Sequence, residues 1–127
     1  MSQVIKTKNA TIILEDSGLL RVQPVAEAEI DLEEVMACFE VYRKMGIGPH
    51  NKVLQLMEPG GDLNMNKEAR EYVAVHGKDF FRAAAVISNS LAVRLIVNFF
   101  VIFNKKDSVP IKMFNTEKEA QEWLKQY

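Results

Sequence analysis

The sequence has a single cysteine, Cys38, so no disulfide can close within the chain. A bridge to a second molecule is a minority use of a lone thiol, and the expected setting is reduced and cytoplasmic. There are two histidines, His50 and His76, well separated in the chain. A zinc site wants three or four His, Cys or carboxylate ligands, so no metal is expected, nor any other cofactor. An excess of either charge is also missing: 16 basic side chains face 17 acidic ones, for a net charge of -1. Domains that hold nucleic acid by bulk charge are strongly basic, so none is expected as a partner. No apolar run reaches the ~18 residues of a membrane span. The start, MSQVIKTKNATIIL, has no apolar stretch behind a basic lead, so no secretory signal is expected.

What is present suffices for one core. The chain has 127 residues, 48% of them apolar, which is ordinary for a globular domain. Residues 1–9 read as a loose segment, and 10–127 as one domain. Ala10–Glu15 and Leu19–Val25 are β-branched or extended runs around Asp16-Ser17-Gly18, the pattern of a hairpin. Asp31, with Glu34 three residues on, predicts a capped helix that Gly46 stops. Residues 52–57 read as a strand and Glu58–Asp62 as a long flexible turn. Asn66, or Asn64, caps a second helix that ends near Gly77. Residues 83–88 begin with three alanines in an apolar run, the pattern of a central strand buried on both faces. Ser90 caps a third helix to about Phe103, 111–115 is a last strand, and Thr116 with Glu119 caps a fourth helix. The order β-β-α-β-α-β-α-β-α predicts an α/β domain with a mixed, mostly parallel five-stranded sheet packed by four helices.

Several segments resemble the STAS-like (SpoIIAA-like) family of small bacterial α/β proteins. They are 66–72 (NKEAREY), Ser88-Asn89-Ser90 leading into Arg94 and Asn98-Phe99-Phe100, and 111–114 (IKMF) with Trp123-Leu124 behind it. The likeness covers about 10–126, and is greater to a bacterial branch apart from the anti-sigma-factor antagonists than to the antagonists. It implies a non-enzymatic binding module. The antagonists carry a phosphorylatable Ser where the third strand meets the second helix. Here residues 58–66 read EPGGDLNMN, without a hydroxyl, so the phospho-switch is not carried over. Gly60, Gly61, Asp62 and Asn66 mark the former switch position, with Gly60-Gly61 expected as a mobile loop needing positive φ.

Catalytic candidates are few. There is no Gly-x-Ser-x-Gly elbow, and Cys38 lies mid-helix beside Val35 and Tyr42, where an inert buried thiol is expected. The acidic run Glu27, Glu29, Asp31, Glu33 and Glu34 reads as a solvated helix start. Arg70 and Arg94 are candidate anion or partner contacts; otherwise each pairs with a carboxylate such as Glu68, Glu71 or Glu58. In the third helix, Arg94 and Asn98 are the strongly polar residues between Leu91 and Phe103, and Lys105 would extend their line. The apolar arc is wider than a surface helix needs. Its excess must meet deeper core, a homodimer contact or the wall of an apolar pocket, and Phe100 stands on one flank. The leading expectation is a non-catalytic interaction or regulatory module acting through a protein partner or a homodimer. The alternative is a binder of a small apolar or lipid-like ligand along the third helix.

Overall fold

The structure, a computed structural model, describes residues 2–103, the last by its backbone alone, and 109–127. Lys105 lies outside the described residues. The elements run β1 Gln3–Lys6, β2 Ala10–Leu14, β3 Leu20–Pro24, β4 Ala28–Ile30, α1 Leu32–Lys44, β5 Val53–Met57, β6 Leu63–Met65, α2 Lys67–His76, β7 Phe81–Ile87, α3 Leu91–Phe103, β8 Ile111–Phe114 and α4 Glu117–Leu124.

The main sheet has six strands in the order β1-β2-β3-β5-β7-β8. The first three are antiparallel, and β3, β5, β7 and β8 run parallel. The α/β class and the four helices are as expected, and β7 is an interior strand. The strand count is not. Residues 3–6 are not loose: they pair antiparallel with β2, Val4 opposite Ile13. A four-residue edge strand shows too little alternation to be read from sequence. A second, two-stranded parallel ribbon joins β4 to β6.

Local chemistry explains the boundaries. Gly18 (φ 93°) turns the hairpin between β2 and β3, a left-handed conformation that glycine adopts without strain. Asp31 accepts the Glu34 N–H and starts α1. The Ile47 N–H reaches the Tyr42 carbonyl and Gly46 N–H the Arg43 carbonyl, a Schellman ending with Gly46 at φ 84°. Asn66, Ser90 and Thr116 cap α2, α3 and α4 through side-chain oxygens.

The sheet divides two cores. On one side α4 packs Ala120 and Leu124 on Leu56, Ala83 and Ala85. On the other, α1, α2 and α3 cover the larger core, in which Phe39 packs against Tyr42, Tyr72, Phe80 and Phe81. A register shift between Val53 and Leu54 pairs them with Phe81 and Ala83 and passes over Arg82. Phe81 and Ala84 thus both face the three-helix side.

Candidate functional site

Side-chain size opens a cavity on the three-helix side. On β7, Ala84 presents only a methyl group there, beside Gln55 of β5. Above this short floor stand Val35, Cys38, Phe39 and Tyr42 of α1, Val73 and Ala74 of α2, and Val93, Ile96, Val97 and Phe100 of α3. Between them lies a partly open cavity of about 160 Å³. The ribbon borders it with Ile30, Leu63 and Met65, and Pro59 adds to the rim. An apolar cavity of about 150 Å³ is enough to hold a benzene-sized guest.

The polar groups of the wall are few and grouped. Glu34, Cys38 and Tyr42 are spaced four apart and so share one face of α1. Glu34 is 5% exposed, and its Oε2 accepts the Thr7 hydroxyl (2.6 Å) and the Asn9 N–H (3.1 Å). The Cys38 Sγ stands 3.8 Å from the same oxygen. Burial first, and then the Glu34 charge, push the Cys38 thiol up to about 12, so it stays neutral. Burial raises the Tyr42 phenol well above its ordinary range, with Cys38 and Glu34 adding to the shift.

Tyr42 is 3% exposed and Gln55 7%, yet neither side chain makes a hydrogen bond among the described residues. Arg70 Nε is the polar side-chain atom there that is both fully enclosed and without a partner. The Tyr42 hydroxyl and the Gln55 amide are therefore not enclosed, and the space they line is the cavity. Both groups are therefore open to hydrogen bonding by whatever occupies the cavity.

The residues singled out by sequence do not converge on one site. Arg70 is half-buried and pairs with none of the expected carboxylates. It donates to the Met65 carbonyl (2.8 Å) and lies over the Phe99 ring at 5.1 Å, fastening α2 to α3. Arg94 also has no ion pair among the described residues; it lies outside, near Ser88, Lys112 and Glu119. Asn98 is exposed. Phe100 is half-buried in the cavity wall. Glu58 instead pairs with Arg21. His50 is exposed, and His76 lies tilted against Tyr72 with ring centroids 4.3 Å apart. No group of three or more potential metal ligands occurs among the described residues.

The excess apolar arc of α3 is not resolved by deeper burial. Val93 and Val97 are buried, whereas Leu91, Leu95, Val101 and Ile102 are 71%, 63%, 55% and 70% exposed. The inner flank forms the cavity wall, and the outer flank lies on the surface.

The segment 58–66 also differs from expectation. Gly60 and Gly61 do not have positive φ. Their need is space: a Cβ on Gly60 would stand 3.2 Å from the Ala26 nitrogen, and one on Gly61 3.3 Å from the Ala26 Cβ. The Gly60 N–H binds the Pro24 carbonyl, and Glu27 N–H binds the Asp62 carbonyl. The turn is thus laid against residues 24–28 and continues into β6. Folding also brings a hydroxyl to it from elsewhere, since Ser90 Oγ donates to Asp62 Oδ1 at 2.5 Å. The acidic run is only partly a solvated start, because Glu34 turns inward. Sequence reasoning missed Glu34 and Gln55 as cavity residues. The available signal was a row of Glu, Cys and Tyr on the helix face otherwise marked by Val35 and Phe39.

The profile of a domain of unknown function (DUF7793) matches residues 12–127, so the chain belongs to that family. A solved structure with a similar fold is that of an uncharacterized protein of the DUF3478 family, with a SpoIIAA-like fold, from Shewanella loihica PV-4. It is 15% identical, covers 98% of this chain and 92% of its own, and has a TM-score of 0.56. The expected SpoIIAA-like architecture is therefore the observed one. No curated protein matches. Among the described residues no helix is long and apolar enough to cross a membrane.

Proposed function

We propose that this DUF7793 domain is a non-catalytic binding module that takes a small, mostly apolar molecule between its sheet and its three-helix layer. The observation that carries the reading is the cavity of about 160 Å³ with two buried, unpartnered polar side chains in an otherwise mainly apolar wall. Specific small-molecule sites have this composition: apolar walls and a few placed polar groups. The reading is non-catalytic because the candidate nucleophile Cys38 is held neutral and no histidine lines the cavity. It involves no phospho-switch within 58–66. A reduced, cytoplasmic setting suits the lone thiol. An NMR titration with toluene tests the proposal. Amide shifts should cluster around Gln55, Ala84 and Val97, and should vanish in Ala84→Ile, which fills the floor. Absence of shifts in the wild type would overturn it.

The outer flank of α3 favours a second reading, contact with a protein partner or a homodimer. Leu91, Leu95 and Ile102 are exposed on one face of α3, with the exposed Asn98 among them, and exposed apolar groups gathered on one face mark interaction sites. Sedimentation of the wild type against Leu95→Lys tests it: a dimer lost in the variant supports the contact, and a monomer in both removes the homodimer.

A further inference from the structure

We infer that the cavity selects uncharged ligands, molecules of benzene to short-alkyl size bearing one hydroxyl or carbonyl, and turns away carboxylates. This rests on the reading of the cavity as a ligand site and adds its selectivity.

The argument is one of charge and hydrogen-bonding complement. Among the described residues no Lys, Arg or His lines the cavity, and Glu34 is the one charged side chain that does. A bound carboxylate would find no counter-ion among the described residues of the wall. It would also share a poorly solvated space with another carboxylate, where like charges repel far more strongly than in water. A buried, unpaired anion is among the most costly groups a protein can hold. Glu34 is not free to turn away, because Thr7 and Asn9 both donate to it. A neutral polar group is met differently. The Gln55 amide both donates and accepts, as does the Tyr42 hydroxyl, so one hydroxyl or carbonyl on the guest can be satisfied. An ammonium group would gain from Glu34, whose Oε2 already accepts from Thr7 and Asn9, but the guest would lose its hydration on entry.

Calorimetric titration at pH 7 with toluene, p-cresol, benzoate and benzylamine tests the inference, since the four share a ring and differ in the head. Toluene and p-cresol should bind, p-cresol more tightly, and benzoate at least about tenfold more weakly than p-cresol. Gln55→Met, close in size to the native residue, should narrow the gap between p-cresol and toluene, because p-cresol loses a hydrogen-bonding partner that toluene never had. Benzoate binding as well as p-cresol would overturn the inference while leaving the cavity as a ligand site. Benzylamine binding more tightly than p-cresol would overturn it too, with Glu34 acting as a counter-ion. Failure of all four, toluene included, would instead overturn the underlying reading of the cavity.

Discussion

On the α4 side of the sheet, Leu56, Ala83, Ala85, Ala120 and Leu124 are each 3% exposed or less. The half-buried Arg21 there gives its donors to three carboxylates, Glu15, Glu58 and Glu117. On the α1–α3 side, Tyr42 and Gln55 lie deeper than Arg21 and bond to nothing in the described protein. One chain thus completes the pairing of a charged group on one face and leaves two neutral groups unmet on the other. Polar side chains this deep in a fold usually have a protein partner, and two without one on the same face call for a specific cause. A shared boundary with one apolar cavity supplies that cause better than general looseness, because looseness would not stop at the sheet.

The largest effect is expected on the closed face. Leu56→Ala should lose about 2–5 kcal/mol in urea denaturation, the range for truncating a fully buried leucine. A loss below about 1 kcal/mol would mean that this face is not closed. On the cavity side, Glu34→Ala should cost about 1–3 kcal/mol by stranding the Thr7 hydroxyl and the Asn9 N–H. Hydrogen exchange at Asn9 should quicken with it, and unchanged exchange would show that Glu34 does not hold the β1–β2 turn.

The smallest of these effects concerns pH. Hydrogen bonding to Arg21 lowers the Glu117 carboxyl below its ordinary value. A carboxyl lowered on folding contributes stability above its unfolded pKa and loses it as the pH falls through the folded one. Glu117→Gln should therefore flatten the acid limb of the stability curve slightly. The side chain is 42% exposed, so the contribution is about 0–1 kcal/mol. An unchanged acid limb would show that the Arg21 pair adds nothing to acid stability.

Much of the architecture was legible because each long element carries its own punctuation. Asp31, Asn66, Ser90 and Thr116 cap their helices as their types predict, and the apolar run on β7 marks an interior strand. The short strands escaped because three or four residues show no period: β4 and β6 are fixed by their pairing with each other, a contact between residues 35 apart in sequence. Gly60 and Gly61 drew attention for the wrong reason, since close approach to Ala26 cannot be told from a φ requirement in one sequence. The cavity was hidden for a related reason. A glutamine in a strand reads as solvent-facing unless the layer above it is known, and the inner face of α3 looks like ordinary core until the floor beneath it is seen to be alanine.

Ala84 and Ala85 offer the most direct test, since these neighbours on β7 face opposite sides of the sheet and differ in what lies beyond their methyl groups. Urea denaturation of Ala84→Ile and Ala85→Ile compares the two faces with one substitution. Ala85→Ile should lose about 1–3 kcal/mol by overpacking the α4 side, whereas Ala84→Ile, which extends into the cavity, should stay within about 1 kcal/mol of wild type. Equal losses in the two variants would contradict the account, because the space above Ala84 would then be no more accommodating than the closed core beneath α4.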